Sequence, residues 1–122
     1  MTPNEALARL EALGLADDAT KVLFDHFADA ERRGKRGHGF SRIAWLEQQP
    51  FDRTARPFRR SRENGIDRWD GNGALGYLTL SAICDDHVAA GVDGACLVVA
   101  SRCFPTGSLG YWVRRLAAAG YE

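Results

Sequence analysis

Ala19, Val22, Leu23, Phe27 and Ala30 recur at three- and four-residue intervals, which predicts a helix over 16–33. His26 lies on the same stripe and reads as a core-edge histidine, not a ligand. Ahead of it, Asn4 is placed to cap a shorter helix that reaches Leu13 and stops at Gly14. Gly34 ends the longer helix, and Gly37 and Gly39 loosen the turn that follows. Phe40, Ile43, Ala44 and Trp45 predict a third helix over 40–48. Residues 50–62 show no period and read as an irregular connection. Ile66 to Asp70 reads as a short strand. Ala74 to Ala90 reads as a helix with Leu75, Leu78, Ala82 and Val88 inward. Ala95 to Ala100 is an unbroken apolar run between Gly94 and Ser101, the pattern of a strand buried on both faces. A last helix over 108–119 turns Leu109, Trp112, Val113 and Leu116 inward, and Gly120 closes it.

Helices first, then strand, helix, strand, helix, predict an α/β (α+β) chain. Residues 1–65 form a helical subdomain in this reading, and 66–122 begin an α/β domain. Two strands make a marginal sheet. The strands are therefore expected to pair in a partner chain, or the 122 residues are the front portion of a longer protein. Either way the isolated chain is expected to be marginally stable.

Composition is that of a folded domain: 45% hydrophobic, 26% charged, mean hydropathy −0.30. No apolar run approaches the roughly 20 residues of a membrane span, so no membrane is expected. No basic-then-apolar leader follows Met1. Cys84, Cys96 and Cys103 are odd in number and lack Cys-x-x-Cys spacing, so neither a disulfide framework nor a metal site is indicated. A reducing cytoplasm is the expected setting. Net charge is zero but unevenly spread. Residues 1–30 hold two basic and six acidic side chains, 31–62 hold ten and three, and 63–122 hold four and seven. The middle segment attracts anions, and its arginines suit carboxylate or phosphate. It reads either as a surface paired with the acidic flanks or as a non-catalytic anion-binding or interaction module over 32–62. Zero net charge argues against nucleic acid as partner.

Gly71-Asn72-Gly73-Ala74-Leu75-Gly76 spells G-x-G-x-x-G between a strand and a helix. The dinucleotide fingerprint also needs an apolar first strand and an acid ending the second. Here the first strand is Ile66-Asp67-Arg68-Trp69-Asp70, and the second ends Ala100-Ser101-Arg102. The segment is read as a glycine turn in which Asp70 or Asn72 helps cap the helix, and not as a dinucleotide site. Gly37-His38-Gly39-Phe40-Ser41-Arg42 carries more chemistry. A histidine between glycines is uncrowded and transfers protons near neutral pH. Arg42, four residues on, clamps carboxylates and shares a face with His38 if the segment is helical.

The run from Ala30-Glu31-Arg32-Arg33-Gly34 through Gly37-His38-Gly39 to Arg42 resembles the A-D-x-R-G-x-x-S-H-G-x-x-R segment of the malate/L-lactate dehydrogenase family. Asp70-Gly71 to Gly76 is similar to its D-G-x-x-x-x-G turn. Ala90-Gly91-Val92 with the 95–100 strand is similar to its G-V-x-x-V-x-V segment. Cys103-Phe104 and Gly110-Tyr111 stand where it has H-F-G and G-Y. The resemblance covers nearly the whole chain and about the first third of a member. It implies a helical subdomain followed by the first strand-helix-strand-helix of a mixed-sheet, non-Rossmann nicotinamide-binding domain. It also implies an oxidoreductase moving hydride between NAD or NADP and a 2-hydroxy or 2-oxo acid, or an imine analogue, in a homodimer. His38 is then the catalytic proton donor and acceptor, and Arg42 binds the substrate carboxylate. Cys103 lines the active site where many members have a histidine, and Gly37 stands in place of a substrate-contacting serine. Most cofactor-binding segments of the family lie beyond this stretch, so the 122 residues alone are expected to be inactive, a truncated form.

Overall fold

Thr2 opens the first helix, α1 (Pro3–Glu11), through a reciprocal cap. Its hydroxyl accepts from the Glu5 N–H at 3.1 Å, and the Glu5 carboxylate accepts from the Thr2 N–H at 2.9 Å. The cap is thus Thr2 and not Asn4, since Pro3 suits the first helical turn and needs no N–H partner. Helix α2 (Asp17–Arg32) follows the predicted stripe, with Asp17 and Asp18 against the positive end of its dipole. A 3-10 turn (Arg36–His38) leads to α3 (Arg42–Glu47). Ala6, Leu10, Leu23, Phe27, Ile43 and Leu46 are the buried apolar centre of this unit. Arg9 on α1 pairs with Glu47 on α3, and Arg53 Nε donates to the Leu13 carbonyl at 2.6 Å.

The computed structural model describes residues 1–122, which divide into two compact units, Met1–Thr54 and Ala55–Glu122. The second is a three-stranded mixed sheet with two helices. Strand β1 (Phe58–Glu63) pairs antiparallel with β2 (Ile66–Asp70), and β2 pairs parallel with β3 (Leu97–Ser101). Helix α4 (Gly76–Ala90) makes the crossover from β2 to β3, and α5 (Leu109–Ala118) packs on α4.

Strand β1 corrects the irregular connection read over 50–62. Asn64 and Gly65, at φ 52° and 75°, form the two-residue turn that favours a hairpin, because both positions need positive φ. Arginines dominate β1, so the strand shows no apolar alternation. They are held instead by acids: Asp67 has no exposed surface and takes Arg59 Nε at 2.6 Å, the Trp69 indole N–H at 2.9 Å and Arg62 at 3.2 Å. His87 Nε2 lies 3.2 Å from it, and Asp86 receives both Arg59 and Arg62.

Strand β3 corrects a second expectation. It lies at the sheet edge, and Leu97 and Val99 are 60% and 40% exposed, so it is not deeply buried. Val98 and Ala100 face the opposite way, lining a cavity of about 410 Å³ with Leu80, Ile83, Trp112 and Leu116. Helices cover one face only. The same lack of cover leaves Leu109 and Val113 exposed on α5, whereas Trp112 is buried and donates to the Thr106 carbonyl at 2.8 Å. Val88 is exposed on α4 as well, where Tyr77, Ile83, Cys84 and His87 are buried in its place.

Burial raises the Asp67 pKa, but hydrogen bonds from Arg59, Trp69 and Arg62 outweigh it and hold the carboxyl well below the usual range. A depressed folded-state pKa stabilises fully above the unfolded value near 4, and that stability is lost as pH falls through the folded pKa. The urea midpoint should therefore show no loss from this group between pH 7 and 5 and fall steadily below pH 4. Asp67→Asn should cost about 3 kcal/mol at pH 7 by leaving two guanidiniums under-compensated, and should flatten that acid slope. Urea unfolding of both proteins across pH 2–7 checks both outcomes.

Candidate functional site

The segment after α2 is wound tightly. The His38 N–H donates to the Lys35 carbonyl at 2.9 Å, and the Gly39 N–H to Arg36 at 3.2 Å. The Ser41 hydroxyl donates to the same Arg36 carbonyl at 2.7 Å, and the Arg42 N–H reaches back to Gly39 at 3.0 Å. Phe40 is buried and stacks on Phe24 with centroids 5.9 Å apart, while Ile43 and Leu46 anchor α3 below it. This packing leaves His38 on the surface.

His38 ends the 3-10 turn and Arg42 begins α3. One continuous helical register does not join them, so the four-residue spacing does not by itself place them on a helix face. The intervening turn brings them into one short, fixed segment instead. The Arg42 guanidinium lies 4.7 Å over the Trp45 ring. Its Nε is buried and has no hydrogen-bond acceptor, an N–H set aside from both solvent and protein.

Cys103 belongs to the second unit, just past β3. Its Sγ lies 3.8 Å from the Gly76 carbonyl, which it faces as a weak donor. Burial pushes its thiol up, and a contact with Thr79 offsets this only in part. The thiol is thus held protonated, a poor proton shuttle at neutral pH.

The glycine turn leading into α4 is spent on the protein's own backbone. A Cβ on Gly71 would lie 2.0 Å from the Arg102 carbonyl oxygen. On Gly76 it would lie 2.5 Å from the Pro105 oxygen and 2.8 Å from the backbone of residues 103 and 104. These glycines let the 102–105 strand exit pass closely. The expectation of capping by Asp70 or Asn72 is corrected in detail. Asp70 accepts from the Asn72 N–H at 2.7 Å inside the turn, but α4 starts only at Gly76, with no side-chain cap. Asp70 also binds Arg60 and Arg102, so it serves as a joint between β1, β2 and the β3 exit.

The arginine-rich middle segment is largely consumed inside the protein. Arg59, Arg60 and Arg62 hold Asp67, Asp70 and Asp86, and Arg32 and Arg33 pair with Asp29. Asp67, Asp86 and His87 have metal-ligand chemistry within 4.8 Å of one another. Two guanidiniums and an indole N–H already occupy their oxygens, which makes the cluster a buried ion-pair network. Sequence reasoning passed over Asp67, Glu31 and the hairpin. The Asn64-Gly65 dipeptide was the available signal for the last.

One helical unit with an exposed histidine, and one mixed-sheet unit whose glycine turn is approached closely by its own backbone, define an α/β chain outside the Rossmann class. The sequence model of the malate/L-lactate dehydrogenase family matches residues 4–121, and the chain belongs to that family. A putative malate/lactate dehydrogenase from E. coli superposes with a TM-score of 0.80 at 19% identity, covering 97% of this chain and 34% of that one. Malate dehydrogenase from Entamoeba histolytica superposes with a TM-score of 0.72 at 20% identity, covering 88% and 30%. The chain thus spans about a third of the length of these solved dehydrogenases. No curated protein matches it. No helix is long and apolar enough to cross a membrane.

The thiols provide a direct check. Cys96 is exposed, Cys84 is buried, and burial raises the pKa of Cys84 and Cys103. Iodoacetamide at pH 8 should modify Cys96 first, with Cys84 and Cys103 at least roughly tenfold slower. The Cys103 rate should still be climbing above pH 9. Peptide mass spectrometry over time reads each site.

Proposed function

We propose that the chain carries the proton-transfer and carboxylate-binding part of an NAD(P)-dependent oxidoreductase acting on a 2-hydroxy or 2-oxo acid, or an imine analogue. The observation that carries the reading is the Arg42 guanidinium, lying over the Trp45 ring, in the same short segment as the exposed His38. A planar fork lying over an aromatic face suits a carboxylate. A nicotinamide, when bound, supplies or takes up the hydride. The Gly71–Gly76 turn is not read as its seat, because no acid ends the strand that follows, Ala100-Ser101-Arg102.

In the reductive direction Arg42 pairs with the substrate carboxylate and fixes the adjacent carbonyl. His38 gives a proton to the oxygen that becomes the hydroxyl, and takes it back in the oxidative direction. Cys103, whose thiol is held protonated, serves as lining and not as a base. The exposed apolar Leu97, Val99, Leu109 and Val113 support further protein packing over the second unit, with a homodimer as the expected assembly.

The 122 residues alone should leave NADH and NADPH absorbance unchanged against a panel of 2-oxo acids. Joined to the remaining two-thirds of the dehydrogenase fold, the segment should support turnover. There His38→Ala should lower kcat by about 10²–10⁴-fold with little change in KM. Arg42→Ala should chiefly raise KM for the acid. Turnover by the bare chain would remove the inactivity claim, and a fully active His38→Ala enzyme would remove His38 from the mechanism.

A further inference from the structure

Glu31 sits in the last turn of α2, where an acidic side chain opposes the helix dipole. Its position is accounted for by what it reaches. Glu31 Oε1 accepts from the Phe40 N–H at 2.8 Å, nine residues on and two before the start of α3. The same carboxylate lies against Gly39: a Cβ there would be 2.3 Å from Oε1 and 2.8 Å from Cδ. Gly39 has φ −97° and ψ −145°, outside the main regions open to other residues, so its backbone and the Glu31 carboxylate both bear on a side chain there. One acid therefore clamps the residue between His38 and Phe40 and satisfies a donor at the entry to α3.

We infer that Glu31 is the positioning residue of this site. It holds the 38–42 segment, which carries His38 and Arg42, in the conformation seen here. The inference rests on the reading that Arg42 receives a substrate carboxylate. Glu31 touches neither substrate nor reacting atoms. It acts by raising the fraction of molecules whose 38–42 segment is ready to bind, and apparent affinity falls in proportion to that fraction.

The test uses the 122-residue chain and oxamate, a non-reducible 2-oxo acid analogue, titrated by ¹⁵N NMR well below each variant's melting temperature. Wild type should bind, and Arg42→Ala should abolish binding. Glu31→Ala should weaken binding roughly three- to tenfold, as expected for losing a helix-entry acceptor. Glu31→Gln, which keeps an acceptor, should stay within about twofold of wild type. Gly39→Ala should weaken binding more in the presence of Glu31 than once Glu31 is alanine. Glu31→Asp is the second variant should the alanine protein not fold. It withdraws the carboxylate by one methylene, so it should weaken binding alone and relieve part of the Gly39→Ala defect. A purely structural role would lower the melting temperature without this coupling. No binding by wild type overturns the carboxylate reading and this inference with it. Binding that Arg42→Ala abolishes but Glu31→Ala or Glu31→Asp leaves unchanged overturns the positioning role alone. So does a Gly39→Ala defect of equal size with and without Glu31.

Discussion

A carboxylate without exposed surface must be satisfied wherever it sits, and the second unit is arranged to satisfy Asp67. The residue lies mid-strand in β2, on the face that α4 covers. Arg59 and Arg62 reach it from β1, Trp69 from its own strand, and His87 from α4. Asp86 then takes the remaining guanidinium donors. Three elements are tied through two acids, so strand pairing and helix docking are specified together. An apolar residue at position 67 would bury as well but would not select the arginine-rich β1 as its neighbour. Strand β1 has little apolar surface of its own, and its membership in the sheet depends on this charge network and on the Asn64-Gly65 turn.

That dependence explains which parts of the fold were legible in the sequence. Helix α2 was legible because Leu23, Phe27 and Ala30 answer to a period that solvent imposes on one face. The two strands flanking α4 were legible as elements, and they pair parallel with each other within the chain. Strand β1 was not, since Phe58-Arg59-Arg60-Ser61-Arg62-Glu63 carries no apolar alternation and Arg60 is additionally bulged out of register. The buried reading of 95–100 failed for the opposite reason. Its apolarity records a need for cover on both faces, and helices of this chain supply cover on only one. The same holds for Leu109 and Val113 on α5.

At the site, residue type was readable and arrangement was not. His38 and Arg42 stand out by chemistry and by the family motif. Their relation is set by a 3-10 turn and by an acceptor nine residues upstream, which helical spacing does not describe. Trp45 is likewise visible only as an apolar position of a short helix. In the structure the Arg42 guanidinium lies over its face.

Glycines make the same point from two directions. Gly71 and Gly76 match a phosphate-binding string, yet the atoms that would meet a Cβ there belong to Arg102, Cys103, Phe104 and Pro105. Gly39 belongs to no general fingerprint, yet the atoms that would meet its Cβ belong to Glu31, a charged side chain beside the candidate catalytic histidine. A glycine forced by neighbouring backbone reports on packing, because the neighbour has no chemistry to offer a ligand. At Gly39 the neighbour is the end of a flexible side chain, so the contact reports on where the Glu31 carboxylate is placed. On the proposed reading, the 31–42 segment and not the G-x-G-x-x-G string carries the site, because there the close neighbour is a carboxylate that also accepts the Phe40 N–H.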